Sequence, residues 1–479
     1  MNKLIKWWRN IPLGVKASVA YFLASIVTKA IGYLVTPIFT RLLSPAEYGQ
    51  VSVYLTWKDI AGIIAMFCLT YGTFNVGLKD HEQDRDRYSF SVLLLSNIIT
   101  AVSGVVILSV AVAVGGFSQM PFPFLLLMLA VFFSQPAMNF WLLRQRYEYR
   151  YKGPVLISVL TTVLSAASAT VWIFVFRDNR AFGKAFGTEL VTILFGIGFY
   201  IYLAYKSKMR VNRKYWREAF LFNLPLIPHY LSTYLLSSSD KVMIAWLIDK
   251  SATAYYSVAY SIAAVVMVIW TAANTSLVPY TYEKCKENDF DAISRVTLPI
   301  LAVFSIACMF IILLAPEAIS LIAPSSYKQA IYAVPPIIGG VFFQTNYYIY
   351  ANIIFYYKKT KYVLLGSFTA VTLNILLNYI CIPRFGYIAA GYTTLLGYLV
   401  QAAIDYCVMR RILHNSVYQM KYIGLLAGGI ILVAIFSNLL YATTVLRYGL
   451  VAVLLILAVI FRKKIIRIFL FSKKEGSET

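Results

Sequence analysis

Fourteen apolar stretches follow one another along this chain of 479 residues. A helix that spans a bilayer needs roughly 20 apolar residues, because the hydrocarbon core is about 30 Å thick and a helix rises about 1.5 Å per residue. The stretches cover residues 17–39, 51–74, 89–114, 121–143, 154–176, 185–205, 220–248, 256–280, 296–315, 332–356, 362–382, 386–409, 421–441 and 446–461. The connections are too short for a soluble domain. We therefore predict an all-α polytopic membrane protein with about 14 transmembrane helices.

The composition agrees with a lipid-embedded chain. Of its residues, 60% are hydrophobic and 13% are charged, whereas soluble proteins have roughly 25% charged residues. The 43 Lys and Arg residues exceed the 20 Asp and Glu residues, a balance that in a soluble protein would suggest nucleic acid. Here the charges lie between apolar stretches, so we predict no nucleic-acid partner and expect anionic membrane lipids instead.

The basic residues also predict the orientation. Of the Lys and Arg residues in the predicted loops, 32 lie on the side of the two termini and 8 on the opposite side. Cytoplasmic loops are enriched in basic residues, so both termini are predicted to be cytoplasmic. The first stretch follows a basic segment but is about 23 residues long and has no cleavage site after it. We interpret it as a retained span, not a signal peptide.

Two similar segments suggest an internal repeat. "SPAEYGQVSVY" follows the first span and "KSATAYYSVAY" follows the seventh, which places Tyr48 and Tyr255 at corresponding positions. Such repeats are common in transporters, and they favour two six-helix lobes with two extra C-terminal helices. The predicted parts are an N-lobe (1–205), a basic cytoplasmic linker (206–219), a C-lobe (220–409) and a C-terminal segment with spans 13 and 14 and a basic tail (410–479).

Ionisable residues inside spans are costly and mark functional positions. They are Lys29, Lys58, Asp59, Glu189, His229, Asp240, Lys241 and Asp405. Glu189 and Asp405 lie near span ends, where a long side chain can reach water. The others concentrate in spans 1, 2 and 7. Lys29 lies on a polar stripe of span 1 and has no carboxylate in the same span, so we expect it to line a water-filled cavity.

Span 7 contains two adjacent charges, Asp240 and Lys241. Neighbouring helical residues point about 100° apart, so the two side chains must face different surroundings. Lys241 shares its face with Tyr230 and Tyr234, whereas Asp240 shares its face with His229.

Two interpretations of the charged pairs remain open. Asp59 with Lys241, or Asp240 with Lys58, would neutralise each other as a structural latch. Alternatively the lysines leave a net positive cavity, which suits an anionic substrate because Lys binds phosphate as a point charge.

No catalytic constellation is present in the sequence. GxSxG, HExxH and P-loop motifs are absent, the five cysteines form no CxxC pair, and the three histidines are scattered. We therefore predict a protein that is not an enzyme and has no metal centre.

Spans 10–12 contain a series of polar and small residues at particular positions. They are Lys359-Thr360-Lys361, Asn374, Asn378, Ile382-Pro383, Gly386 and Thr394. Together with "TRLLSPAEYG" (40–49) and "SSDKVMIAWL" in span 7, they resemble the bacterial polysaccharide flippase family, the translocases of O-antigen and capsule repeat units. That family belongs to the multidrug/oligosaccharidyl-lipid/polysaccharide exporter superfamily. The chain departs at Ala389-Ala390-Gly391, where relatives often have Gly-Ala-Ala.

The resemblance implies two lobes in a V shape around a central cavity, in a bacterial cytoplasmic membrane. It implies alternating access, without ATP hydrolysis, that moves a polyprenyl-diphosphate-linked oligosaccharide to the outer leaflet. A polysaccharide polymerase and glycosyltransferases are the expected partners. The alternatives are a peptidoglycan lipid-precursor flippase, a cation-coupled multidrug exporter of the same superfamily, and a noncatalytic subunit of a glycan assembly complex.

Under this resemblance the polar residues of the spans acquire expected roles. Lys29, Lys58 and Lys241 would hold the diphosphate, with Arg41 near the outer exit. The sugars would contact Tyr230 and Tyr234. Proton or Na⁺ coupling, or pairing between helices, would involve Asp59, His229 and Asp240. No other cofactor is expected.

Overall fold

The computed structural model describes residues 12–70, 73–113, 120–414 and 417–456. These residues are nearly all helical and contain no β-strand. The α-helices are α1 Leu13–Leu42, α2 Pro45–Ala65, α3 Thr73–Asp80, α4 Arg85–Ala113, α5 Phe122–Tyr147, α6 Lys152–Val175, α7 Arg180–Lys206, α8 Arg213–Asn223, α9 Ile227–Leu247, α10 Lys250–Glu287, α11 Phe290–Leu313, α12 Ala315–Ile322, α13 Val334–Tyr356, α14 Thr360–Phe385, α15 Ile388–Leu413, α16 Met420–Ile435, α17 Ser437–Ala442 and α18 Thr444–Ile456. Two 3₁₀-helices cover Glu82–Asp84 and Ser325–Tyr332.

The helices confirm the predicted all-α, multi-span class. Every predicted span contains at least one helix, and eight of the helices are long and apolar enough to cross a membrane by length and composition. Helices such as α2 and α9 fall below that level of hydropathy because charged residues lie within them. Polar positions inside spans are tolerated where other helices cover them.

Three predicted spans are interrupted in the structure, and one of them, the stretch 421–441, divides at Phe436 into α16 and α17. The stretch 51–74 was expected to be one span, but α2 ends at Ala65 and Phe67 and Cys68 follow with positive φ. The stretch 220–248 divides into α8 and α9, with a turn over residues 224–226. Pro225 lies in this turn and Pro228 in the first turn of α9. Because proline has no N–H to donate, it is tolerated in a helix's first turn but interrupts a continuous helix.

The chain divides into two compact units, which meet in sequence at Tyr234 and Leu235. In the N-terminal unit, α7 packs against α5 and α6, and α1 packs against α6. In the C-terminal unit, α15 packs against α13 and α14, and α10 packs against α13. The division falls inside α9, whereas the sequence places the start of the C-lobe at residue 220.

The predicted linker contains an ordered helix, α8, that is bound to the N-terminal unit. Tyr215 donates to the Asp84 carboxylate at 2.9 Å, and the indole of Trp216 donates to the carbonyl of Ser91 at 2.7 Å. His81 and Glu218 lie 2.9 Å apart. Burial, together with the hydrogen bond to Asp84, raises the pKa of Tyr215 above its ordinary value. The part of the predicted linker that forms α8 therefore belongs structurally to the N-terminal unit.

Close helix packing in the N-terminal unit depends on small residues. A Cβ atom at Gly196 of α7 would come within 2.5 Å of the carbonyl oxygen of Ser134 on α5. A Cβ atom at Gly198, two residues later, would meet nothing within 4 Å. Small residues let membrane helices approach closely, and this backbone-to-backbone contact is of that kind.

We expect Gly196→Ala to destabilise the N-terminal unit by about 1–3 kcal/mol, because the added methyl group must push α5 and α7 apart. Gly198→Ala is the matched control and is expected to stay within about 0.5 kcal/mol of the unsubstituted protein. Unfolding of both variants in detergent measures the difference. Equal stability of the two variants would contradict the close α5–α7 contact.

Candidate functional site

The C-terminal unit contains a carboxylate that is fully enclosed by polar side chains. Asp240 of α9 is 0% exposed. Its Oδ1 accepts a hydrogen bond from Asn378 Nδ2 at 2.7 Å. Its Oδ2 accepts from the hydroxyls of Tyr256 at 2.5 Å and Thr394 at 2.6 Å. One carboxylate thus joins α9 to α10, α14 and α15.

A second layer of hydrogen bonds supports these donors. Asn378 Nδ2 also donates to Asn374 Oδ1 at 3.2 Å, and Asn374 Nδ2 donates to Thr394 Oγ1 at 3.0 Å. Thr393 donates to Asn378 Oδ1. All four residues are buried. We name the five residues Asp240, Tyr256, Asn374, Asn378 and Thr394 the Asp240 cluster.

The hydrogen bonds to Asp240 stabilise its ionised form, because each of them is donated to a carboxylate oxygen. Burying a carboxylate costs several kcal/mol unless hydrogen bonds replace its water, and bonds to a charged acceptor are about twice as strong as neutral ones. The cluster directs three donors at Asp240 and combines its carboxylate with amide and hydroxyl oxygens. Oxygen ligands of this kind suit a hard cation. Among the described residues, no group of three or more His, Cys, Asp or Glu side chains could hold a metal ion.

The adjacent lysine lies in different surroundings. Lys241 is half-buried, and its Nζ is 5.0 Å from the centre of the Tyr260 ring on α10. Tyr230 and Tyr234, on the same face of α9 by spacing, are half-buried and belong to the N-terminal unit. His229 is half-buried, with its ring centre 5.4 Å from that of Tyr230. The structure therefore separates Asp240 and Lys241 by environment.

In the N-terminal unit, Lys58 of α2 forms an ion pair with Glu189 of α7 at 2.6 Å. Glu189 is 2% exposed, so the expectation that it reaches water from a span end is wrong. The reason is that α7 packs against neighbouring helices on the face that carries Glu189. Asp59 is exposed and is an electrostatic neighbour of Lys58. The structure therefore gives Lys58 a carboxylate partner that the sequence did not identify.

Lys29 and Arg41 both lie on α1. Lys29 is exposed, as are Ser18 and Ser25 on the same stripe. No carboxylate of the described residues lies within ion-pair distance of Lys29. Arg41 is exposed and donates to the carbonyl of Pro37 at 2.9 Å. Lys29 thus differs from Lys58, because it forms no ion pair with a carboxylate of the described residues.

Some members of these sites were absent from the sequence-based residue set. Tyr256 and Thr393 had no spacing that indicated them, whereas Glu189 was identified as an ionisable residue but was expected near water and without a partner. Asn374 and Asn378 carried a signal, since they are one helical turn apart within an apolar span and so face the same neighbour. Thr394, on the next span, is the neighbour that this face contacts, because its hydroxyl accepts from Asn374.

The comparisons with known proteins agree with this architecture. The sequence model described as "Polysaccharide biosynthesis protein" matches residues 15–285, more than half of the chain. The MatE model matches residues 225–380. A protein of the Lsg locus of Haemophilus influenzae is 22% identical over 378 residues, which cover 73% of this chain and 86% of that protein. A membrane protein of the same organism is 22% identical over 379 residues, covering 72% and 85%.

Solved structures share the fold at low sequence identity. An inward-facing multidrug resistance MATE family transporter has a TM-score of 0.61 at 15% identity, covering 81% of this chain and 94% of that chain. The lipid II flippase MurJ in an inward closed conformation has a TM-score of 0.63 at 12% identity, covering 94% and 100%. The chain thus shares the fold of these solved structures, and the family match over residues 15–285 shows that it belongs to the polysaccharide biosynthesis protein family.

Proposed function

We propose that this transporter moves a polyprenyl-diphosphate-linked oligosaccharide repeat unit from the cytoplasmic to the outer leaflet, for the synthesis of a surface polysaccharide. The observation that carries the proposal is Lys29, a cation on an apolar helix with no carboxylate of the described residues in ion-pair distance. The family supports a role in polysaccharide synthesis. The sequence has no nucleotide-binding motif, which supports transport without ATP hydrolysis.

The substrate chemistry explains the need for such a cation. A diphosphate cannot cross hydrocarbon without compensation, because an unpaired buried charge is very costly. Lys29, Lys58 and Lys241 supply compensating charge in this proposal, and Arg41 acts near the outer exit. Lys58 would share its charge with Glu189. Tyr230 and Tyr234 offer aromatic faces with a hydroxyl for the sugar rings, and the lipid tail stays in the bilayer.

The energy source in this proposal is a cation gradient. The Asp240 cluster is the principal coupling site, because its oxygens suit Na⁺ or a proton and join four helices. A ligand that binds one arrangement of these helices better than another shifts the equilibrium between them. Asp59 and His229 are secondary coupling candidates.

The proposed setting is the cytoplasmic membrane of a bacterium, with both termini in the cytoplasm. The distribution of Lys and Arg in the loops supports this orientation. Glycosyltransferases would supply the substrate and a polymerase would consume it, because a translocated repeat unit is assembled on one side of the membrane and polymerised on the other.

Lys29→Ala is expected to reduce translocation at least about tenfold, which corresponds to about 1.4 kcal/mol of lost interaction with the diphosphate. The measurement is the rate at which a fluorescent lipid-linked oligosaccharide becomes accessible on the far side of proteoliposomes. Lys16→Ala, the same change near the start of α1, is the control and is expected to retain the rate. Equal rates for Lys29→Ala and the unsubstituted protein would remove Lys29 from the mechanism.

A second candidate is a flippase of a peptidoglycan lipid precursor. It is favoured by the lipid II flippase, whose structure is matched over its whole length. Proteoliposomes that translocate lipid II faster than a lipid-linked oligosaccharide would support this candidate. Efflux of a cationic drug would support a multidrug exporter, and absence of translocation by the purified protein would support a noncatalytic subunit.

A further inference from the structure

The C-terminal unit buries two carboxylates whose surroundings are opposite. Asp240 and Asp405 are both 0% exposed. Asp240 accepts hydrogen bonds from three side chains. Neither oxygen of Asp405 has a hydrogen-bond partner among the described residues. The sequence-based expectation that Asp405 reaches water near a span end is therefore wrong, because α13 and α14 cover that face of α15.

The surroundings of Asp405 bring no positive charge to it. Gly366 of α14 lies against Asp405, since a Cβ atom at this glycine would come within 3.2 Å of Asp405 Oδ1. On α13 the titratable neighbour is Tyr347. Among the described residues, Asp405 forms no ion pair with a Lys, Arg or His. Asp405 thus occupies an apolar position against a small residue.

A second unpartnered acceptor lies one helical turn earlier on α15. Gln401 is 3% exposed, and its Oε1 has no hydrogen-bond partner among the described residues. Its Nε2 donates to Ser367 Oγ at 2.9 Å, and Ser367 Oγ donates to the carbonyl of Val363 at 3.0 Å. This chain of hydrogen bonds therefore ends at acceptor oxygens to which no described donor is directed, Gln401 Oε1 and the two oxygens of Asp405.

The end of this chain has three acceptor oxygens and lacks a donor. Residues four apart on a helix have Cβ atoms about 5–6 Å apart, so the Asp405 and Gln401 side chains can reach each other. An ionised carboxylate without hydrogen bonds is very unfavourable in an apolar interior. A single proton on Asp405 removes the charge and supplies an O–H that can donate to Gln401 Oε1.

We propose that Asp405 is a proton-binding site, occupied by a proton in this conformation and separate from the Asp240 cluster. The bound proton completes the chain from Asp405 through Gln401 and Ser367 to Val363. The affinity of Asp405 for this proton depends on the packing of α13, α14 and α15, because water that enters beside Asp405 stabilises the carboxylate. A group that holds a proton in one arrangement and releases it in another makes the equilibrium between them pH-dependent. This proposal does not depend on the nature of the transported substrate.

Infrared pH-difference spectra of the purified protein in lipid bilayers test the site. The carbonyl stretch of a protonated carboxylic acid lies apart from the carboxylate bands, and it reports protonation whether or not a reagent can reach the group. We expect a protonated-carboxyl band at neutral pH that falls about tenfold per pH unit above its midpoint. The band should be missing in Asp405→Asn and present in Asp240→Asn.

A second variant keeps the test decisive if Asp405→Asn does not fold. Gln401→Lys places an ammonium group within reach of Asp405, so the carboxyl should ionise and the band should be lost at neutral pH while Asp405 remains. A neutral-pH band of equal intensity in Asp405→Asn and the unsubstituted protein would overturn the proposal. Loss of the band on adding Na⁺ at constant pH would also overturn it, since the ligand would then be a metal cation.

Discussion

Asp240→Asn is expected to lower the free energy of unfolding by about 3 kcal/mol. The substitution replaces one carboxylate oxygen by an amide NH₂, which cannot accept the hydrogen bonds of Tyr256 and Thr394. Each hydrogen bond to a charged group contributes about 1.5–3 kcal/mol, and partial rearrangement of the neutral side chains recovers some of that loss. Unfolding of the purified protein in detergent measures the change.

Asp249→Asn is the matched control for this substitution. Asp249 caps α10 by accepting from the N–H of Ala252 at 2.7 Å, and Asn caps helices about as well as Asp. The control should therefore stay within about 0.5 kcal/mol of the unsubstituted protein. Equal losses in the two variants would contradict a special role of the Asp240 cluster in stability.

Transport measurements on Asp240→Asn test the proposed coupling role of Asp240. If the cluster binds the coupling cation, Asp240→Asn should lose the stimulation of translocation by a Na⁺ or proton gradient. Thr394→Val removes one hydrogen-bond donor and keeps the carboxylate, so it should lose less of this stimulation than Asp240→Asn does. A gradient response that survives in Asp240→Asn would leave Asp240 a purely structural residue.

The sequence predicts the helices and the separation of Asp240 from Lys241 because both follow from local geometry. An apolar stretch of about 20 residues needs a bilayer, and a helix fixes the angle between adjacent side chains. Neither inference requires knowledge of which helices are neighbours. The break between α8 and α9 was visible only in part, as two prolines whose effect on the helix depends on local packing.

The ion-pair partners and the burial of charges near span ends could not be predicted from the sequence, because they depend on which helices are neighbours. Lys58 and Glu189 are 131 residues apart in sequence, and only the packing of α2 near α7 brings them together. Asp405 lies near the end of an apolar stretch, yet α13 and α14 cover it. Depth along a span is readable from the sequence, but the direction that a side chain faces depends on helix neighbours.

Lys58→Met is expected to destabilise the N-terminal unit by about 3–5 kcal/mol. The substitution leaves Glu189, which is 2% exposed, as a buried carboxylate without its lysine. Removing one partner of a buried ion pair has an effect of this size, because the remaining charge is uncompensated. Glu189→Gln should have a smaller effect, since Lys58 is 15% exposed and can reach water. Unfolding in detergent gives both values.

The double variant Lys58→Met/Glu189→Gln separates a structural role of Lys58 from substrate binding. With both charges removed, most of the stability lost in Lys58→Met should return, and the interaction energy of the cycle should be about 1–3 kcal/mol. If Lys58 also holds the diphosphate, translocation stays low in the stable double variant. If the pair is a structural latch alone, translocation returns with stability. A double variant as unstable as Lys58→Met would contradict the ion pair itself, because the destabilisation would then come from packing of the methionine and not from the stranded charge of Glu189.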